Sequence, residues 1–309
     1  MSEIQRRDFL TGTAAVAAAA ALLAARNTEA GDPSFMNNAP DPLLSGKELP
    51  TFKFALEKSK GRVVGKSTAK EATVKQFPIS KGIAGVSMGL EPGAMRELHW
   101  HATAAEWAYV DRGRVRTTVI DPQGNSETND FDPGDVWYFP RGHGHMLECL
   151  GDEPCHFVLI FDNGYFSEFG TFSVTDWIGH VPKRLLAKNF GLPESTFDGF
   201  PKKEVYIARG TLPPKKPARP AAGGWKLSLT HKYRLHARPP QVDNKGGRLW
   251  LVDSTTFPIS KTMTGAILDL SEWLAANPLD VLATNFGKPA AVFEKFPHKD
   301  VFITDEQRL

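Results

Sequence analysis

Two histidines and a glutamate have the types and spacing of metal ligands. His99 and His101 lie two residues apart, and Glu106 follows five residues after the second histidine. In an extended strand alternate side chains share a face, so both imidazoles point one way while Trp100 points the other. Because imidazole nitrogens and carboxylate oxygens both bind divalent metals, the three residues predict half of a metal site. The alternative is that the His-x-His pair lies on the surface or in the core without a metal.

Short extended segments separated by turns must position these residues. Seven segments are predicted as strands: residues 72–77, 82–90, 106–110, 114–120, 135–139, 145–150 and 156–161. Turn sequences such as EPG, DPQG and DPGD separate most of them. Strands of this length and spacing predict a small antiparallel barrel or sandwich.

After Gly164 the pattern changes to short helices. Asp176 is expected to cap the first helix, Pro182 to be the first residue of a second, and Gly191 to end it. Beyond them a linker containing PPKKPARP is predicted to be extended and semi-rigid.

Composition and the N-terminus bound the class of protein. The chain has 37 basic and 35 acidic residues and no long basic run, which argues against nucleic-acid binding.

Arg6 and Arg7 precede an apolar run, residues 14–25, that is too short to span a bilayer. This pattern resembles a twin-arginine export signal, which implies a periplasmic or extracellular protein without a membrane span. Cleavage is expected after Ala30 or near Ala25.

The sequence contains an internal repeat with a piece missing. FPISK at residues 77–81 returns at residues 257–261, an offset of 180, whereas NFG at residues 189–191 returns at residues 285–287, an offset of 96. The offsets differ by 84 residues, so the second copy lacks a counterpart of about residues 91–174, which contain every histidine named above.

Cys149 and Cys155 flank a predicted hairpin turn at residues 151–153. They are equidistant from Asp152 and could face each other across the two strands. In an oxidising compartment they could form a disulfide, and the alternative is a pair of small buried hydrophobic residues.

Two spaced motifs complete the predicted metal site. Residues 93–113 read G-x5-H-x-H-x4-E-x6-G, and residues 134–145 read G-x5-P-x-G-x2-H. This pair resembles the cupins, double-stranded β-helix barrels that bind a metal through three histidines and a glutamate. The resemblance implies an all-β jelly-roll barrel with short helices and a truncated second cupin repeat. It also implies four metal ligands, His99, His101, Glu106 and His145.

His143 competes with His145 for the fourth ligand position, but the proline-glycine spacing of the second motif favours His145. Three imidazole nitrogens and one carboxylate leave two open positions on an octahedral ion. Such a set accepts manganese, iron, nickel or copper, so the ligands alone do not name the metal.

Several longer sequence strings point to one group within the cupins. EPGAMRELHWH, EWAY, GDVWYFPRG, FDNGYFSE and TDW followed by a VPK helix are similar to the two-barrel oxalate decarboxylases. The likeness runs from about Leu49 to the C-terminus, apart from the missing stretch. It implies one manganese ion, dioxygen as a redox helper, and conversion of oxalate to formate and carbon dioxide.

Two further residues are assigned roles by this resemblance. Arg96, three residues before His99, corresponds to the family's substrate arginine, and a guanidinium there can orient a small carboxylate. Glu168 matches the glutamate of the family's mobile lid, which supplies the proton that replaces carbon dioxide. Phe169 and Gly170 differ from the polar pair of bacterial members. A surface salt-bridge arginine and a solvated loop glutamate are the alternatives.

The predicted domain layout follows from these features. It comprises a signal peptide (1–30), an N-terminal arm (31–75), a complete barrel (76–165), a lid and helical segment (166–208), a linker (209–247) and a second-repeat remnant (248–309). The remnant is expected to pack either on the intact barrel or on another subunit, and the second arrangement would give a homo-oligomer. An oxalate oxidase that releases hydrogen peroxide and a non-catalytic module that binds metal or carboxylate are the competing functions.

Overall fold

The structure, a computed structural model, describes residues 52–217, 229–244 and 247–269, together with residues 289 and 291. These residues divide into two compact units. We call residues 52–234 with 257–263 the barrel unit, and residues 235–256 with those from 264 onward the C-terminal unit. The predicted signal peptide, most of the N-terminal arm, PPKKPARP beyond residue 217 and the repeated NFG lie outside the described residues.

The described residues form sixteen strands. In chain order they are β1 Arg62–Val64, β2 Ser67–Ala72, β3 Ala84–Leu90, β4 Ala94–Trp100, β5 Glu106–Arg112, β6 Arg114–Ile120, β7 Ser126–Phe131, β8 Val136–Phe139, β9 Gly144–Leu150, β10 Cys155–Phe161, β11 Phe172–Ser173, β12 Ile207–Arg209, β13 Lys232–Tyr233, β14 Val242–Asn244, β15 Gly247–Val252 and β16 Gly265–Asp269.

Two antiparallel sheets build the barrel unit. One has the order β1-β2-β3-β10-β5-β8-β13. The other has the order β11-β4-β9-β6-β7, with β12 also pairing with β4. Alternate side chains of β2, β5 and β10 are buried, as expected for strands with one face on a core. Side chains from both sheets, such as Phe157 and Leu147, meet in one apolar cluster. The predicted all-β jelly-roll barrel is confirmed.

The strand predictions need several corrections. The segment predicted at 72–77 is mostly a turn, in which Gln76 Oε1 accepts from the Thr73 backbone N–H, and the strand is β2, which ends at Ala72. Strand β7 was not predicted, because its sequence SETNDF carries no apolar alternation. Strand β4 was predicted only around its histidines, and it starts five residues before the first of them.

Two short α-helices follow the barrel strands, α1 Val174–His180 and α2 Lys183–Phe190. Ser173, not Asp176, caps α1, because the Ser173 side chain accepts from the backbone N–H of Asp176. Pro182 is the N-cap of α2 rather than its first residue. Gly191 ends α2 as predicted, in the left-handed conformation with φ +65°.

The repeat seen in the sequence is also a repeat of local structure. Ser80 Oγ donates to the carbonyl of Ile83 at 2.6 Å, and Ser260 Oγ donates to the carbonyl of Met263 at 2.7 Å. The backbone bonds Lys81 N to Ile79 O and Lys261 N to Ile259 O are both 3.0 Å long. Strand β3 follows the first copy and strand β16 the second. The two segments therefore share a fold as well as a pentapeptide.

Cys149 and Cys155 are both buried free thiols in the structure. No helix among the described residues is long and apolar enough to cross a bilayer.

Candidate metal centre

Strands from both sheets bring the four predicted ligands together. His99 lies in β4, His101 directly after it, Glu106 at the start of β5 and His145 in β9. One ligand atom from each of the four lies within 4.8 Å of the others. All four side chains are buried, with exposed fractions between 0% and 3%. Among the described residues this is the one cluster of three or more such side chains with metal-binding spacing.

A β-bulge lets β4 direct two functional side chains to the interior. Arg96 pairs with Leu147 of β9, and His99 pairs with His145, so three steps along β4 match two along β9. The extra residue lies in the interval that contains Leu98, whose side chain is half exposed. Strict alternation would put Arg96 and His99 on opposite faces, whereas both are buried here.

Backbone carbonyls fix two of the imidazoles. His99 Nδ1 lies 2.6 Å from the carbonyl oxygen of Glu97, and His145 Nδ1 lies 2.9 Å from that of His143. Because a carbonyl only accepts, each Nδ1 must carry the proton and each Nε2 the lone pair. This is the arrangement by which outer hydrogen bonds orient metal-binding histidines.

Trp137 positions the carboxylate. Its indole Nε1 donates to Glu106 Oε1 at 2.7 Å. The other oxygen, Glu106 Oε2, lies 3.5 Å from His145 Nε2 and 3.7 Å from His101 Nδ1. One oxygen is thereby held by the protein while the other faces the imidazoles.

The residues fit a divalent metal ion. Glu106 Oε2, His101 Nε2 and His145 Nε2 are buried and have no hydrogen-bond partner in the described chain. Such atoms cost free energy unless something binds them. Burial lowers the pKa of His101, and burial together with the charge of Arg96 lowers the pKa of His99. Neutral imidazoles are the form that a metal ion requires.

The structure places His143 outside this cluster. Its ring is partly exposed, its Nδ1 lies 3.4 Å from the carbonyl of Arg141, and it packs against His231. His145 is the histidine that the structure brings to the other three ligands.

Arg96 and Glu168 form a buried ion pair beside the cluster. Arg96 Nε donates to Glu168 Oε1 at 2.6 Å, and Glu168 Oε2 lies 3.4 Å from His101 Nε2. Burial alone would raise the pKa of Glu168, but the charge of Arg96 and the contact with His101 lower it to about 2. Arg96 Nη1 donates to the carbonyl of Tyr206 at 3.3 Å, while Nη2 is buried and has no partner among the described residues. One nitrogen of the Arg96 guanidinium is therefore without a partner among the described residues, while another is bonded to the carboxylate that contacts His101.

Comparison with known families agrees with this geometry. The cupin family profile matches residues 56–197. The barrel of this chain is therefore similar to the cupin family over these residues. A second profile, the twin-arginine translocation signal sequence, matches residues 3–22, so the predicted export signal is confirmed.

Two individual proteins and one solved structure are similar to this chain over about 70% of its length. The chain is 40% identical to oxalate decarboxylase OxdC of Bacillus subtilis (strain 168), over 70% of this chain and 56% of that protein. It is 31% identical to an oxalate decarboxylase of Arthroderma benhamiae, over 72% of this chain and 57% of the relative. A solved structure of oxalate decarboxylase from Bacillus subtilis superposes with a TM-score of 0.68 at 38% identity, over 73% of this chain and 59% of that one. The chain thus matches little more than half the length of these relatives.

A short 3-10 helix, Glu168–Gly170, brings the Glu168 carboxylate to the candidate metal centre. Thr171 Oγ1 donates to Glu168 Oε2 at 3.0 Å, and on the other side Ser167 Oγ donates to Glu71 at 2.8 Å. Arg62 Nη2 donates to the carbonyl of Phe169 at 2.9 Å. These bonds hold the segment over the site, and Glu168 is 1% exposed.

The sequence did not reveal three residues that support the site. Trp137 lies in the GDVWYFPRG string that supports the resemblance, so that string was the available signal. Glu97 accepts from the backbone N–H of Tyr206 and from Thr175, and the Arg96 guanidinium lies 4.3 Å from the Tyr206 ring centre. No motif marks Tyr206, which is 110 positions after Arg96. Its backbone φ of +67° is unusual for a residue other than glycine.

Proposed function

We propose that this chain is an oxalate decarboxylase, a carboxy-lyase that converts hydrogen oxalate into formate and carbon dioxide. One manganese ion would be held by His99, His101, Glu106 and His145. The named relatives support this assignment over about 70% of the chain. We assign Arg96 to substrate binding and Glu168 to proton transfer.

The observation that carries the proposal is the buried, unpartnered Nη2 of Arg96, whose Nε is bonded to the Glu168 carboxylate that contacts His101. Oxalate is a small ion with two adjacent carboxyl groups. A site with a metal at one end and a buried guanidinium at the other complements that charge distribution. Arg96 stays charged, because the Glu168 carboxylate raises its pKa in spite of burial.

When bound, manganese with dioxygen as a redox helper supplies the Lewis acid and the one-electron chemistry that weaken the carbon–carbon bond. The protein's own groups have separate tasks. Arg96 would bind one carboxylate of the substrate and fix its orientation in the site.

Glu168 is suited to move the proton. With a pKa of about 2 in the resting site Glu168 is a carboxylate and has no proton of its own to donate. As Arg96 turns toward the substrate, Glu168 loses part of its neutralising charge, becomes more basic and accepts the proton of hydrogen oxalate. When carbon dioxide leaves, Glu168 donates the same proton to the remaining carbon, where a C–H bond replaces the C–C bond. The proton and charge balance, since hydrogen oxalate yields formate and carbon dioxide.

The closed 3-10 helix also excludes water. With Glu168 buried and held by Thr171, bulk solvent does not reach the carbon that must be protonated. An acid in this position favours decarboxylation over the release of hydrogen peroxide, which is the outcome for an oxalate oxidase.

The twin-arginine signal supports action outside the cytoplasm, in the periplasm or the extracellular space. Proteins exported by this route cross the membrane folded, so the barrel would acquire its metal before export. A homo-oligomer remains our expectation for the assembled protein.

The test is a product assay on manganese-loaded protein given carbon-13 oxalate in air. We expect formate and carbon dioxide in equal amounts, and Glu168→Gln to reduce the rate by at least about 100-fold, the lower range for general acid catalysis. Glu194→Gln, a matched change at an exposed residue, should leave the rate unchanged. Hydrogen peroxide in proportion to oxalate would instead identify an oxalate oxidase. Bound metal and oxalate without turnover would identify a binding module.

A further inference from the structure

A cleft of about 490 Å³ opens on the barrel unit, outside the metal cluster. Apolar residues such as Leu229 and Ile259 form part of its wall. Its polar lining consists of Asp121, Tyr138, Arg141, His143, His231, Lys261 and Thr262. Neither Arg96 nor Glu168 lines it, so the proposed reaction makes no use of this cleft.

His231 is the most distinctive residue of the cleft. Its side chain is 2% exposed, and its Nδ1 lies 2.8 Å from Glu127 Oε2, which also accepts from the His231 backbone N–H at 2.7 Å. Because that carboxylate oxygen accepts both bonds, Nδ1 carries a proton and Nε2 is left with its lone pair when the ring is neutral. His231 Nε2 is buried and has no hydrogen-bond partner in the described part of the protein.

Not every histidine that contacts a carboxylate has an unpartnered second nitrogen, as another histidine of the barrel shows. His156 Nδ1 lies 3.0 Å from Asp111 Oδ2, much as in His231, but its Nε2 is bonded to Ser87 Oγ at 2.9 Å. His156 therefore has both nitrogens satisfied, whereas His231, which lines the cleft, has one nitrogen without a partner among the described residues. A carboxylate behind one nitrogen and a free lone pair on the other is the usual environment of a metal-binding histidine.

His143 supplies a second imidazole at a suitable separation. The ring centres of His143 and His231 lie 5.6 Å apart. In the main cluster the three ligand histidines have ring-centre separations of 4.2, 4.8 and 5.1 Å. A rotation of the partly exposed His143 side chain would close the difference.

The surrounding charges permit a cation. Lys261 and Arg141 line the cleft with Asp121, while Glu127 lies behind His231, and Arg141 is paired with Asp162 at 3.1 Å. Two cationic side chains thus face three carboxylates. The imidazoles do not meet a net positive field.

We propose that His231 and His143 form a second metal site, for a divalent transition metal that prefers imidazole ligands, such as zinc. Water or a small anion near Lys261 completes the coordination. Glu127 is a positioning residue that holds His231 in the required tautomer. Because the protein ligands are imidazoles and manganese stands lowest in the affinity order of these metals, the site takes zinc, nickel or copper in preference to manganese.

The experiment uses the untagged full chain loaded with manganese and dialysed against zinc. Zinc bound and manganese lost are measured in the same sample by elemental analysis. We expect one zinc per chain in excess of the manganese released. His231→Gln and His143→Gln should each abolish that excess zinc, and Glu127→Gln should weaken its binding by about 10- to 100-fold. His156→Gln, a change at the histidine whose two nitrogens are both satisfied, should bind zinc like the parent protein.

The outcome is decisive even if His231→Gln disturbs the fold, because the His143 ring is partly exposed and its bond to the Arg141 carbonyl is weak. Zinc taken up only in exchange for manganese would overturn the proposal. So would excess zinc that either histidine variant still binds, or equal loss in His156→Gln.

Discussion

Arg96 and Glu168 are fully buried and joined by a 2.6 Å contact from Nε to Oε1, with side chains 0% and 1% exposed. They come from strand β4 and from the 3-10 helix that covers the site, 72 positions apart in sequence. The pair therefore connects the covering segment to the wall of the barrel. Because Arg96 already binds Glu168, any substrate carboxylate would have to bind the same guanidinium together with Glu168.

Breaking this pair should cost stability in a way that a second change reverses. Arg96→Met leaves the Glu168 carboxylate buried without its cation, which should lower the free energy of unfolding by about 3 kcal/mol, the low end for buried pairs because His101 remains in contact. Arg96→Met with Glu168→Met should recover most of that loss. Urea unfolding of the metal-free proteins at pH 7 measures both, while oxalate turnover should be lost in each. A double variant as unstable as Arg96→Met alone would show that the ion pair does not hold the 3-10 helix Glu168–Gly170 against the barrel.

Trp137→Phe should weaken metal binding without removing a ligand. The change deletes the indole N–H that donates to Glu106 Oε1 and leaves the carboxylate free to turn. Loss of such an outer hydrogen bond typically costs about 10- to 100-fold in metal affinity. Competition with a metal chelator gives the Kd directly.

The control for this prediction is Trp107→Phe. Trp107 Nε1 is buried and has no partner among the described residues, so this change removes an indole donor that holds nothing. We expect the manganese Kd of Trp107→Phe to match that of the parent protein. Equal Kd values for the two variants would mean that the Trp137 bond does not position Glu106.

Part of the candidate cluster follows from local rules, because His99 and His101 share a face through strand alternation and Glu106 follows the pair closely. His145 was assigned through the two spaced motifs that carry the cupin resemblance. Alternation gives the wrong answer for Arg96, which lies three residues before His99 and should face away from it. The bulge opposite β9 reverses that expectation, and a bulge depends on the register between two strands, which the sequence of one strand does not encode.

The remaining site residues meet through contacts that are long in sequence. Glu168 and Tyr206 reach Arg96 only because the covering segment and β12 fold back onto β4, so only the family resemblance pointed to Glu168. The first residue of α1 is likewise decided by a contact that is distant in sequence. Ser173 and Asp176 are both capping residue types, and pairing of Ser173 with His99 decides that the helix begins after Ser173.

Gly170→Ala should stabilise the protein, although Gly170 lies in the covering segment. A Cβ there would meet nothing within 4 Å, and the residue does not have a positive φ. Alanine restricts the unfolded chain, so the free energy of unfolding should rise by about 0.4–1 kcal/mol. The matched control is Gly191→Ala, where a Cβ also meets nothing but φ is +65°. That variant should be destabilised by about 1 kcal/mol, because alanine disfavours the left-handed region. Similar unfolding midpoints for the two variants would contradict the assignment of the difference to φ.

Glu148 should make the stability of the barrel depend on pH. Burial raises the pKa of this β9 carboxyl, and the charge of nearby Arg116 only partly offsets the effect. A carboxyl whose pKa is higher in the folded than in the unfolded protein binds its proton more tightly when folded. Ionisation of Glu148 therefore lowers stability above this pH range, and the loss disappears as the pH falls below the unfolded value.

Glu148→Gln should accordingly raise the free energy of unfolding at pH 7 by about 0.5 kcal/mol, within the usual range for such substitutions, and have no effect near pH 3.5. Arg116 keeps its two-pronged contact with Asp130 in the variant, so no new unpaired charge appears. Urea unfolding of metal-free protein across pH 3.5–7 tests this, with the exposed Glu153→Gln as the matched control. A gain that persists at low pH would have to come from packing. A loss at pH 7 would mean that the attraction to Arg116 outweighs the cost of burying the charge.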